Sequence, residues 1–207
     1  MAPWCCTLIA QKRLEKVRYS VSRLRESFGS SAAVTPSRCS CHKNEPIKPS
    51  PAPVNLRFAL WPSRELLRQT VWQFLPLTHI LKLSDEELPF LTGTEDIEAA
   101  LPRLFTGDVQ LVLYTCGSKG AYAYTRAAHA FAPCQKVRAV DTTGAGDGFI
   151  GSFLWQLSRD GVTVDKLEKL SCKKLKEYLD FSNRFCGLSV QKHGAIDSYP
   201  TLPEMGL

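Results

Sequence analysis

The chain has 207 residues, 44% of them apolar, and a formal net charge of +6, enough length and apolar content for one sizeable buried core. The charge excess sits in residues 1–53, with nine Lys/Arg against three Glu, while residues 54–207 carry seventeen of each sign. No basic face therefore argues for nucleic acid, and no apolar run reaches the length needed to cross a bilayer, so a soluble protein is expected.

Residues 1–53 read as a basic, Pro/Ser-rich extension. The stretch "LIAQKRLEKVRYSVSRLRESF" places Leu14, Val17, Val21 and Leu24 at spacings of three and four, the pattern of a basic amphipathic helix. Such a leader is similar to an organelle transit peptide over residues 1–30; an extension without a fold of its own is preferred, with the cytoplasm as the expected compartment. Five prolines between Pro36 and Pro53 mark a linker or disordered segment. Cys39, Cys41 and His42 form one dense corner, but a structural zinc site needs a second ligand pair, so free thiols are the expectation for all eight cysteines.

From residue 54 strands and helices alternate. "LTHILKL" (Leu77–Leu83) is a short buried strand, "SDEELPFLTG" a helical turn closed by Gly93, and "DIEAALPRLF" a helix interrupted at Pro102. "VQLVLYT" (Val109–Thr115) is a nearly continuous apolar strand, as when both faces of a sheet are covered. "AYAYT" and "AHAFAPC" form a ribbon. Phe149, Ile150, Phe153, Leu154 and Leu157 then share one face of a helix ended by Gly161, and a last helix from about Cys172 buries Leu175, Tyr178, Leu179, Phe185 and Cys186. This order predicts an α/β sandwich around a mostly parallel sheet.

The stretch "VDTTGAGDGFIGSFL" (Val140–Leu154) contains a literal G-x-G-x-x-G at Gly146, Gly148 and Gly151, with Asp147 inside it. In a dinucleotide-binding turn a carboxylate among the anion-holding N–H groups would repel the pyrophosphate. An aspartate there suits phosphoryl transfer, in which it takes the proton of an attacking hydroxyl while N–H groups of Gly144, Ala145, Gly146 and Asp147 hold developing charge. A third reading is architectural: Asp141 or Thr142 caps a helix and the glycines make a turn. Phosphoryl transfer is the reading preferred, partly because "KVRAVDTT" is too short and polar for the first strand of a dinucleotide fold.

Asp141-Thr-Thr-Gly-Ala-Gly-Asp147-Gly-Phe149 resembles the second signature of the PfkB family of carbohydrate kinases, and the surroundings resemble its fructokinase branch. Weaker matches follow in the right order: "NLRFALW" (Asn55–Trp61), "KLSDEELPFLTG" (Lys82–Gly93), "TCGSKGAY" (Thr115–Tyr122) and "SNRFCGLSVQKHGAIDSYPT" (Ser182–Thr201). The resemblance implies a ribokinase-like three-layer sandwich represented by its C-terminal half, residues 54–207, and ATP with Mg²⁺ as cofactors. It further implies Asp147 as general base, with Gly144, Ala145 and Gly146 as an anion hole, and Glu87 acting on Mg²⁺ through water. Ser84-x-x-Glu87 reads equally well as a capping box, and Ser84 stands where many relatives have Asn. Thr115, Gly117, Gly120 and Asn183 fall on the nucleotide side, Asn55 and Arg57 on the substrate side, and Asp141 and Thr143 resemble a K⁺ site.

The first sheet strands, the lid and the Gly-Gly sugar signature of that family have no counterpart here, and Pro53 stands where relatives usually carry an aspartate. Two functions therefore stay open: an ATP-dependent sugar kinase, or a catalytically inactive remnant that binds nucleotide or pairs with another chain. Loss of half a sheet predicts a strand such as Val109–Thr115, or its neighbour, with an uncovered face or unpaired edge, and association into oligomers through it.

Overall fold

The computed structural model describes residues 49–54 and 58–207. Five strands, β1 (Pro51–Pro53), β2 (Ile80–Ser84), β3 (Leu111–Thr115), β4 (Ala121–Tyr124) and β5 (His129–Ala132), lie in one sheet in chain order. The helices are α1 (Arg64–Phe74), α2 (Glu87–Thr92), α3 (Ile97–Leu104), α4 (Ala145–Arg159), α5 (Val164–Leu167) and α6 (Cys172–Ser189). The β1–β2 and β2–β3 pairings are parallel, with Ile80 opposite Leu111 and Ser84 opposite Thr115. The β3–β4 and β4–β5 pairings are antiparallel. The sheet expected to be mostly parallel is thus evenly mixed among the described residues, because the ribbon joins its far side as a hairpin. That hairpin turns tightly at Arg126 and Ala127, where Thr125 N–H donates to the Ala128 carbonyl.

Alternation along the strands divides the interior into two cores. Ile80, Leu111, Leu113, Ala121, Ala123, Ala130 and Ala132 point to one face and meet Phe149, Phe153, Leu175, Tyr178 and Leu179 of α4 and α6. Leu81, Leu83, Val112, Tyr114 and Tyr124 point to the other and meet Leu88, Leu91, Ala100 and Leu104 of α2 and α3. The result is the expected three-layer α/β sandwich. Strand β3 has both faces covered and neighbours on both sides, so it is not the exposed strand anticipated; among the described residues the outer strands are β1 and β5.

Helices α1 and α5 and strand β1 depart from the sequence expectations. Helix α1 is not anticipated, although Ser63 caps it by accepting from Leu66 N–H at 3.1 Å and Glu65 sits in its first turn. It is tied to α2 by Trp72 Nε1, which donates to the Leu91 carbonyl at 3.0 Å. Strand β1 lies within residues assigned to the extension. Pro-Ala-Pro has no strand periodicity to read, and prolines in a sheet are confined to edges, starts and bulges. Cys39, Cys41, His42 and the leader helix of residues 1–30 lie outside the described residues.

Helix ends otherwise form where the residues direct. Gly93 adopts φ +80° and closes α2, as its position after the apolar run predicts. Asp160, at the end of α4, receives Arg159, Lys174 and Tyr178. Partial burial alone would raise its carboxyl; these three donors outweigh that and hold it at about 2. This ties the end of α4 to α6 beside the buried Phe153–Tyr178 pair.

Candidate active site

The carboxyl end of β2 and the start of α4 meet at a cleft of about 290 Å³, lined by Pro53, Val54, Lys82, Glu87, Thr143, Gly144, Gly146 and Asp147. Gly144 precedes α4 in the left-handed region, φ +79°. Ala145 to Arg159 are helical, so Gly146, Gly148 and Gly151 all lie inside α4 rather than in a strand-to-helix turn, and the segment before it is irregular. The dinucleotide reading of G-x-G-x-x-G therefore fails. Gly148 has a packing role instead: a Cβ there would stand 3.1 Å from both Phe185 and Tyr199.

The first turn of α4 has free donors, as any helix start must unless it is capped. Ala145 N–H is taken by the Thr142 carbonyl at 3.1 Å, so this member of the expected anion hole has its amide in a turn. The N–H groups of Gly144, Gly146 and Asp147 meet no acceptor among the described residues. The Asp147 side chain is half-buried, lines the cleft and has no hydrogen-bond partner there. A carboxylate without a partner beside free amides at a positive helix end can take a proton next to a bound anion.

Glu87 faces the same cleft from the start of α2. Its Oε2 accepts from Ser84 N–H at 2.7 Å, while Ser84 Oγ accepts from Glu87 N–H at 3.2 Å. That reciprocal pair is the capping box read in the sequence. It occupies Oε2 and leaves Oε1 without a partner among the described residues, so the carboxylate still fits a water-bridged hard cation.

The loop before α4 is clasped from the far end of the chain. The Val190 carbonyl accepts from Val140 and Asp141 N–H at 2.7 and 3.2 Å, and Gly194 N–H donates to Asp141 Oδ2 at 3.0 Å. Tyr199 Oη donates to the Gly144 carbonyl at 2.9 Å. Cys186 Sγ donates to the Ala145 carbonyl at 3.2 Å, and burial pushes this thiol up to about 12, so it supports the loop as an inert group. Neither Tyr199 nor Cys186 carries a sequence signal that marks it as a site residue. Replacing Tyr199 with Phe should cost about 0.5–1.5 kcal/mol in urea unfolding, the net worth of one hydrogen bond, since Gly148 N–H still satisfies the Gly144 carbonyl.

Asp141 and Thr143, read as a monovalent-cation pair, do come together. The Thr143 side chain and N–H, then Gly194 N–H, hold the Asp141 carboxyl at about 2. A folded value below the unfolded one stabilises above the ordinary carboxylate range, near 4, and the gain is lost as pH falls through about 2. The acid-induced loss of stability between pH 4 and 2 should therefore be shallower in Asp141→Asn, as followed by fluorescence-detected unfolding.

The residues expected on the nucleotide side do not line this cleft. Gly117 and Gly120 shape the turn between β3 and β4 at φ +52° and +128°, and a Cβ on Gly120 would meet the Ala132 carbonyl at 2.3 Å. Thr115 Oγ1 points to the Leu83 carbonyl at 3.4 Å. Asn183, expected either in a nucleotide pocket or on a solvated face, is buried and donates to the carbonyls of Ala132 and Pro133. Asn55 and Arg57 fall outside the described residues.

The sequence model of the pfkB family of carbohydrate kinases matches residues 41–202, more than half of the chain. The chain belongs to the pfkB family of carbohydrate kinases. It is 39% identical over 152 residues to fructokinase-1 of Zea mays, covering 73% of this chain and 46% of the relative, and 38% identical to fructokinase-1 of Oryza sativa subsp. japonica with the same coverage. Among solved structures it superposes on the ATP-bound fructokinase of Xylella fastidiosa with a TM-score of 0.69 at 31% identity, covering 75% of this chain and 49% of that one. The fructokinase of Vibrio cholerae O395 with fructose, ADP and calcium gives 0.66 at 31%, with the same coverage. The fold is the ribokinase-like sandwich, and the chain spans about half the length of the relatives it matches.

Proposed function

We propose that this chain carries the phosphoryl-transfer half of an ATP-dependent, fructokinase-like sugar kinase. The unpartnered Asp147 carboxylate beside the free N–H groups of Gly144, Gly146 and Asp147, in one cleft, carries the reading. Asp147 takes the proton of the attacking sugar hydroxyl as that oxygen bonds to the γ-phosphorus. The β,γ-bridging bond breaks, ADP leaves with the electron pair, and the free amides stabilise the charge on the equatorial oxygens. Glu87 would hold Mg²⁺ through water, which supplies charge neutralisation on the phosphates, and Asp141 with Thr143 would hold K⁺.

Fructose as acceptor rests on the similarity to fructokinases, one of which is solved with fructose and ADP. The cytoplasm as compartment and self-association at a free sheet edge belong to the same proposal. Among the described residues no helix is long and apolar enough to cross a membrane. A coupled ATP-consumption assay over a panel of sugars tests the proposal, with fructose-dependent ADP release expected. ATP binding without release for any sugar favours the second reading, an inactive nucleotide-binding chain, which the coverage of less than half of each relative supports.

A further inference from the structure

Lys82 interrupts the apolar run of β2 between Leu81 and Leu83 and is 8% exposed. Its Nζ lies 3.4 Å from Glu87 Oε2, a long contact to an oxygen already bonded at 2.7 Å by Ser84 N–H. Two of its three N–H bonds have no acceptor among the described residues. On its other side, the Cβ that an alanine at 146 would carry stands 3.6 Å from Nζ. The ammonium therefore sits between Glu87 and the free amides at the positive start of α4.

This arrangement is electrostatically unbalanced. A nearly buried ammonium loses hydration that only good pairing restores, and here the helix start and free N–H groups add positive potential to it. A single carboxylate, shared with a backbone donor, offsets only part of that. An anionic oxygen placed between Nζ and the amides of Gly146 and Asp147 would accept from both. Resting on the reading of the cleft as a phosphoryl site, we propose that Lys82 is a further phosphate-positioning residue. It changes partner from Glu87 to the terminal phosphoryl oxygens when a triphosphate enters, and so frees the Glu87 carboxylate.

Two consequences separate this from a purely structural Lys82–Glu87 pair. Lys82 should give the chain affinity for a triphosphate with no divalent cation present, and Glu87 should oppose it, because the carboxylate competes for the same ammonium and repels the anion. The test is calorimetric titration in EDTA with ATP, inorganic tripolyphosphate and AMP. Lys82→Met, which keeps the length of the side chain and removes its charge, should weaken ATP and tripolyphosphate about 10–100-fold, the worth of a charged hydrogen bond, and leave AMP within twofold. Glu87→Gln, which keeps an acceptor for Ser84 N–H, should tighten both triphosphates several-fold. Unchanged triphosphate affinity in a folded Lys82→Met overturns the proposal, and so does weakened affinity in Glu87→Gln, the arm that decides should Lys82→Met fail to fold. Should the unaltered chain bind ATP with Mg²⁺ while both variants match it in EDTA, the Lys82 assignment falls and the kinase reading stands. No ATP binding by the unaltered chain under either condition overturns both.

Discussion

Asp147→Asn is expected to leave ATP affinity nearly unchanged and to lower turnover by about 10²–10⁴-fold, the usual contribution of a positioned general base. The measurement is steady-state kinetics beside nucleotide titration, on this chain or on residues 140–154 grafted into a full-length relative. Asparagine has nearly the shape of aspartate and caps helices about as well, so an architectural role predicts almost no effect on rate or stability. The structure sharpens the contrast: Asp147 lies in the first turn of α4, half-buried, and its side chain makes no cap hydrogen bond that the substitution could remove. Near-normal turnover in Asp147→Asn would sink the mechanism proposed for this cleft.

Gly146→Ala should separate binding from folding in the opposite sense. A Cβ at this position meets nothing nearer than Lys82 Nζ at 3.6 Å, so the fold accommodates it, and alanine in a helix is favoured over glycine by up to about 1 kcal/mol. Unfolding should show equal or slightly greater stability. The methyl group nevertheless enters the space between Lys82 and the free amides, where phosphoryl oxygens must approach the backbone. Triphosphate affinity should fall about tenfold or more while the melting temperature holds or rises. Loss of stability without loss of affinity would mean that Gly146 serves packing, as Gly148 does beside Phe185 and Tyr199.

Much of the fold was legible because its signals are local. The apolar run ending at Thr115 gives a central strand; the hairpin follows from alternation in Ala121–Tyr124 and His129–Ala132; the glycine-led helix shows its apolar face at Phe149, Ile150, Phe153 and Leu157. Helix α1 escaped notice even though Ser63, Glu65, Leu67 and Val71 spell a cap and a four-residue apolar spacing. Contacts between distant segments leave no such trace. The Tyr199 bond to Gly144 spans 55 positions and that of Asn183 to Ala132 spans 51, so neither partner could be named from spacing. Lys82 did leave a signal: a charge inside a short buried strand is costly unless something answers it. Within the loop, the expected anion hole of Gly144, Ala145 and Gly146 could not be seen from sequence to have its Ala145 amide turned inward to Thr142.

The proline-bearing strand at the edge of the described sheet limits how another strand could add to it. Val54 N–H donates to the Lys82 carbonyl and the Ser50 carbonyl accepts from Ile80 N–H, so Ser50, Ala52 and Val54 turn their main-chain groups toward β2. In an extended strand the alternate residues face the opposite way, and here those are Pro51 and Pro53, which have no N–H to offer. The outer rim of β1 is a row of acceptors only. A strand arriving from a second copy, or from a separately supplied partner, could donate to it but would find no donor for its own carbonyls, and the ladder could not close. Strand addition is thereby discouraged at β1, and among the described residues β5, a strand without proline, is the other edge of the sheet.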